Sequence, residues 1–244
     1  MIKNTNKTVF LMVLVLLFIS CTSNYKIEGD RVYYQFYCIS FAEHDGGRIN
    51  KTALKNVDAS SFKSLDNSYG SDKSNVYYYE KKIIDANPQS FEIILFEDAN
   101  DSNSFAYSKD ENYVFRYGIK INGANPKTFK VLNQIPYSRD DTDYFFEGKP
   151  LNVNDVNSLR IITESRIDFL SIDNKSYYLE DKKYPLADYK SFKYLSSGYF
   201  KDNVNVYFLD SIVKGADPKT FEASGATGQD KNYYYKGFEK HKQK

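Results

Sequence analysis

Between residues 72 and 221 one pattern of four positions returns five times without a gap inside any copy. Asp72, Asp110, Asp140, Asp173 and Asp202 each open a short polar turn, and an aromatic cluster follows within seven residues, Tyr77-Tyr78-Tyr79 in the first copy and Tyr207-Phe208 in the last. Fifteen residues after each aspartate stands Asn87, Asn125, Asp155, Asp188 or Asp217. Nineteen residues after it stands Phe91, Phe129, Leu159, Phe192 or Phe221, each preceded by Ser or Thr. Partial copies lie at both ends. Asp30 with Val32-Tyr33-Tyr34 opens one that closes at Asp58, Ser61 and Phe62 after a 13-residue insertion, and Asp230 opens another that stops near Gly237. A repeat of roughly thirty residues cannot enclose a core of its own, so its copies must stack on one another.

Each copy reads as strand, turn, strand, helical turn, strand. The aromatic cluster alternates faces along a strand and runs into turns such as Tyr117-Gly118 and Glu147-Gly148, where glycine accepts positive φ. A return strand follows, as in Ile119-Lys120-Ile121. Ala-Asn-Pro-Lys-Thr-Phe and its variants then place Asn or Asp as a cap with Pro next, which starts a helical turn whose Phe points inward. With 23 Tyr and 18 Phe, the chain has ample apolar surface for many small cores. The fold expected is all-β, an elongated, solenoid-like array of six to seven tandem hairpin repeats over residues 30–240. A closed, propeller-like array is the alternative, but its blades usually have four strands, which these copies do not show.

The last copy, Asp230-Lys231-Asn232-Tyr233-Tyr234-Tyr235, matches the signature of the DKNYY family of bacterial proteins, and the Asn/Asp-Pro-Lys-Thr-Phe copies resemble that family's repeat. The Asp140 and Asp173 copies depart from it, with Val156 and Tyr189 in place of the proline. The resemblance implies a repeat architecture and brings no activity with it.

The N-terminus has a different character. Two lysines precede the apolar run Val9–Ile19, which at eleven residues is too short to span a bilayer and reads as a secretory signal. Phe18-Ile19-Ser20-Cys21 resembles the lipobox of bacterial lipoproteins. That implies cleavage after residue 20, acylation of Cys21, and attachment to the lipid bilayer through it. Residues 21–29 are then a short tether and 241–244 a polar tail. Thr22 in place of an acid points to the outer membrane or cell surface over the inner membrane. With Cys21 acylated, Cys38 has no disulfide partner.

Candidate chemistry is sparse. Without Lys3 and Lys7 the mature chain carries 31 basic and 32 acidic groups, so nucleic acid is not an expected partner. His44 and His241 are the only histidines, and no metal or other cofactor is expected. Asp98, Asn100 and Ser102 have calcium-loop spacing but lack the glycine and the closing acid such a loop needs. The repeated aspartates read as turn formers. The best functional lead is an aromatic ladder, Tyr78, Tyr113, Tyr144, Tyr178, Tyr207 and Tyr234, as a stacking surface for a protein or glycan. The expectation is a non-catalytic envelope lipoprotein with a binding or structural role. The alternative is an envelope hydrolase whose site lies near the 41–54 insertion.

Overall fold

The computed structural model describes residues 20–39, 48–94, 107–133, 136–163 and 169–242. His44 and the 97–104 loop lie outside them, as does the signal segment up to residue 19. Among the described residues the chain is almost entirely β, arranged as seven small antiparallel sheets in tandem. The first sheet holds β1 (Ser20–Glu28), β2 (Arg31–Ile39) and β3 (Arg48–Ala53), and the second holds β4 (Lys63–Ser64), β5 (Tyr69–Ser71), β6 (Val76–Tyr78) and β7 (Lys81–Lys82). The third is β8 (Glu92–Ile93), β9 (Tyr107–Lys109), β10 (Val114–Arg116) and β11 (Ile119–Lys120). The fourth is β12 (Lys130–Val131), β13 (Tyr137–Arg139), β14 (Tyr144–Phe146) and β15 (Lys149–Pro150). The fifth is β16 (Arg160–Ile161), β17 (Leu170–Ile172), β18 (Ser176–Leu179) and β19 (Lys182–Pro185). The sixth is β20 (Lys193–Ser196), β21 (Tyr199–Lys201), β22 (Val206–Phe208) and β23 (Ser211–Ile212). The seventh is β24 (Glu222–Ser224), β25 (Thr227–Gln229), β26 (Tyr233–Lys236) and β27 (Glu239–Lys242).

Every sheet is an open meander with strands in chain order, and none closes into a barrel. The chain divides into two compact bodies, residues 1–82 with the first two sheets and 83–244 with the other five.

Four strands per sheet correct the three-strand reading of the repeat. The extra strand lies just before each aspartate, for example Tyr137-Ser138-Arg139, and at three residues it is too short to declare a period. The module also begins elsewhere than expected, at the Asn/Asp cap and not at the aspartate. Residues 21–29 are not a tether: the alternation of Tyr25 and Ile27 with polar neighbours suits a strand, and β1 pairs with β2 along its whole length. Arg48–Ala53 of the expected insertion is strand β3, and His241 with Lys242 ends β27 and not a free tail. Asp30 is exposed in the β1–β2 turn and is not an equivalent of the recurring aspartates.

The cores lie between consecutive sheets of each body. Tyr107, Val114 and Ile121 of the third sheet meet Phe129 and Phe145 of the fourth module, while Tyr199, Val206 and Val213 of the sixth meet Phe221 and Tyr235 of the seventh. In the first body, Val32, Tyr34 and Leu54 meet Phe62 and Tyr77. Counted from the aspartate, the residue four on faces the next sheet and the residue five on faces the previous one, which is the period-2 alternation of a strand buried on both sides. In the second and seventh sheets, room for the cap's Phe ring comes from a glycine two before the aspartate, whereas the sixth has Phe200 there, packed against Phe192. A Cβ at Gly70 would run into Phe62, and one at Gly228 into Phe221. At Tyr117-Gly118 and Glu147-Gly148 both turn residues have positive φ, the twist a two-residue hairpin requires. The outer strands are short and carry lysines such as Lys82, Lys120, Lys149 and Lys183, which guards their open edges against pairing with other chains.

Candidate functional site

The recurring polar residues converge on one motif, a buried carboxylate that closes each module. Asp202 accepts the N–H groups of Val204 and Asn205 at 2.7 and 2.6 Å on one oxygen. On the other it accepts the N–H of Asp188 at 2.9 Å and the Tyr207 hydroxyl at 2.8 Å. Asp72 and Asp230 repeat the arrangement with Asp58, Tyr77 and Asp217, Tyr235. Asp110 and Asp140 take the cap N–H groups of Asn87 and Asn125, both at 2.8 Å, but face Phe115 and Phe145, which have no hydroxyl. In the fifth module the grip slips by one residue, so Asp173 takes the N–H of Asn154, together with the Tyr178 hydroxyl at 2.6 Å. Each aspartate therefore binds the cap that precedes it in the chain and not the one fifteen residues later.

The caps themselves follow one geometry. Asp58, Asn87, Asn125, Asp155, Asp188 and Asp217 each accept the N–H two residues on through the side chain, with or without proline between. Tyr189–Ser191, a proline-free copy, is the one stretch of 3₁₀ helix among the described residues.

Burial and hydrogen bonding compete at the clamps. Burial pushes the carboxyls of Asp72, Asp173 and Asp230 up, but the N–H groups aimed at them outweigh it, and all three lie below the usual carboxylate range. Burial first, and the adjacent carboxylate second, push the hydroxyls of Tyr77, Tyr178 and Tyr235 well above the usual tyrosine value. A carboxylate held ionised by three or four donors is a poor proton shuttle, and a phenol held neutral against it is a hydrogen-bond donor only.

The six tyrosines of the expected ladder do not share a surface. Tyr178 and Tyr207 are buried with their hydroxyls on Asp173 and Asp202. Tyr144 is buried, and its hydroxyl accepts from Arg139. Tyr78 is half-buried between Tyr69 and Tyr79, and Tyr113 is half-buried beneath the Lys120 ammonium, 3.2 Å from its ring centre. Tyr234 is exposed, at 40%. The ladder fails because the six stand three to six residues after their aspartates, so strand alternation sends them to different faces. Sequence reasoning missed a second tyrosine set, three residues before the aspartate. Tyr137 and Tyr199 donate to the carbonyls of Phe169 and Gly237 in the following sheet, stapling neighbours together. Lysines add staples in both directions. Lys201 reaches the Pro218 carbonyl of the next cap, and Lys183 reaches back to Asn152.

Cys21 lies in β1 with Cys38 as its register partner in β2. Among the described residues no three His, Cys, Asp or Glu side chains stand close enough to hold a metal ion.

The family model for DKNYY proteins matches residues 45–182 and 167–240, most of the chain. The chain belongs to the DKNYY family. In this DKNYY protein the signature acquires a physical reading: Asp230 is the clamp, Lys231 pairs with the cap Asp217 at 3.2 Å, Asn232 and Tyr233 donate N–H groups to the clamp, and Tyr235 closes it. No curated protein and no solved structure matches the chain.

Proposed function

We propose that this DKNYY protein is a lipid-anchored lipoprotein of the bacterial cell envelope, whose repeat array serves as a non-catalytic scaffold for a protein or glycan partner or for structural support. The clamp carries the non-catalytic half of the reading. The residues that recur most faithfully are engaged in joining cap to sheet, and at Asp72, Asp173 and Asp230 the N–H groups hold the carboxyl below its usual range, away from what acid–base catalysis requires. The Val9–Ile19 run and Phe18-Ile19-Ser20-Cys21 supply the address, with the outer membrane or cell surface favoured by Thr22. Binding would fall to exposed aromatics at the hairpin tips and the last sheet, Tyr79, Tyr117, Tyr234 and Phe238, in place of the ladder.

Growth of a producing strain with an alkyne fatty acid tests the anchor. Label and membrane association should both be lost in Cys21→Ser and kept in Cys38→Ser. An unlabelled chain whose mobility shifts on reduction would replace the anchor with a Cys21–Cys38 cross-strand bond. Glycan arrays and pull-downs with the soluble form from Thr22 onward test binding. A hydrolytic activity abolished by His44→Ala would overturn the scaffold reading in favour of the hydrolase.

A further inference from the structure

In each four-stranded sheet the residue after the cap's ring lies directly across from a residue of the following strand. In the third sheet that pair is Glu92 and Lys109, and the charges meet at 3.1 Å. In the sixth sheet the same place in the register is held by Lys193 opposite Lys201. Like charges directly opposite on adjacent strands destabilise a sheet. Lys201 cannot swing far from the conflict, because its ammonium donates to the carbonyls of Pro218 and Phe221, each at 2.8 Å. The fourth sheet also opposes two cations, Lys130 and Arg139, but there Arg139 is turned onto Tyr144 and the Asp140 carbonyl.

The conflict sits on an open groove of about 430 Å³ between the sixth and seventh sheets, lined by Lys193, Tyr194, Lys201, Lys219 and Glu222 among others. Three lysines and one glutamate line it, with Asp217 also acting on Lys201, in a chain that is otherwise nearly neutral. The strand bearing Lys193 also carries a bulge between Tyr194 and Ser196, a device that re-aims side chains beside functional sites. Burial, with the charge of Lys193 next, lowers the Lys201 pKa and outweighs the opposing pull of Glu222 and Asp217. A residue that opposes its own sheet while lining an open cleft marks a ligand, because the third sheet shows that a glutamate fits the same place.

We propose that this groove binds phosphate-bearing anions, with Lys193, Lys201 and Lys219 supplying the positive field and Lys201 as the pre-positioned centre. Phosphate suits a cluster of lysines, which act as point charges around a multi-oxygen anion. Phosphate groups of this kind occur on soluble polyanions and on lipid headgroups alike. The inference deepens the binding reading above and rests on it; the anchor assay is separate, so either can fail alone.

Lys193→Glu is the decisive variant, because it rebuilds the Glu92–Lys109 arrangement and should fold. Titration calorimetry of the soluble form with pyrophosphate and with short-chain polyphosphate should show binding that weakens at least tenfold in Lys193→Glu and in Lys219→Glu. Without anion, Lys193→Glu should melt at a higher temperature than the native chain, and pyrophosphate should raise the melting temperature of the native chain alone. Co-sedimentation with phosphatidylglycerol vesicles, against phosphatidylcholine, separates a headgroup from a soluble source. Absence of binding in every arm, or binding that Lys193→Glu leaves unchanged, overturns the proposal.

Discussion

Four clamps close on a tyrosine hydroxyl, and the two at Asp110 and Asp140 close on a phenylalanine, yet all six receive three main-chain N–H groups, with the preceding donor shifted by one residue at Asp173. Asp110 receives the N–H groups of Asn112, Tyr113 and Asn87 at 2.7–2.8 Å, and Asp202 receives its three at 2.6–2.9 Å. The hydroxyl therefore supplements a site whose geometry is set by three main-chain donors. Those part-buried donors all lose their acceptor together once the carboxylate is gone, so the carboxylate matters more than the single hydroxyl.

The sharpest way to break this comparison is to remove a clamp. Asp173→Ala should lower stability by on the order of 3 kcal/mol, since three main-chain N–H groups, one of them buried, and the buried Tyr178 hydroxyl lose their acceptor together. The urea midpoint reads this, and a loss no larger than that of Tyr178→Phe would refute the ranking. Titration is next in size. The carboxyls of Asp72, Asp173 and Asp230 are lower folded than unfolded. The stability they lend is whole above the unfolded value of about 4 and drains away as pH falls through the folded values. The tyrosines behave oppositely. Burial pushes Tyr137 and Tyr199 up to about 12, so their contribution is whole below the unfolded value of about 10 and is lost as pH climbs through about 12. Absorbance at 295 nm should show a class of tyrosines that ionises only with unfolding in that upper window.

A smaller effect sharpens the contrast between the two kinds of clamp. Tyr178→Phe should cost about 1.5 kcal/mol, the low end for one hydrogen bond to a carboxylate, since Asp173 keeps its other donors. Phe145→Tyr should recover part of such a bond at Asp140, and denaturant melts of both variants compare them directly. The smallest expected change concerns the exposed cap partners. Asp58 and Asp217 pair with Lys73 and Lys231, whereas the Asn87 and Asn125 side chains donate to Glu111 and Asp141. Lys231→Glu alone should lower the melting temperature slightly. Adding Asp217→Asn should restore it by recreating the Asn87–Glu111 pair, and added salt should weaken the penalty of the single variant.

Much of this was legible in the residues. The period, the caps, the buried Phe that follows them and the turn role of the aspartates each rest on local chemistry that spacing exposes. Asp217-Pro218-Lys219-Thr220-Phe221 announces a capped turn wherever it stands. What escaped notice was non-local. The strand Tyr137–Arg139 has three residues and no period to read, and Gly70 and Gly228 look unremarkable until a ring from the preceding cap lies over them. The ladder is illegible for a related reason: Tyr178 and Tyr234 look equivalent as members of aromatic clusters, but a one-position difference in register sends one onto Asp173 and the other to solvent.

The residues alone determined that this chain is a tandem β array with proline- or aspartate-started caps, because those features depend on spacing and backbone preference within a few positions. Only the tertiary structure decided that each aspartate grips the cap region before it and that both faces of the aromatic strands between neighbouring sheets are covered. It also decided that Lys193 meets Lys201 instead of a glutamate. These facts belong to pairs of segments brought together by stacking, and no single segment encodes which face its neighbour will cover.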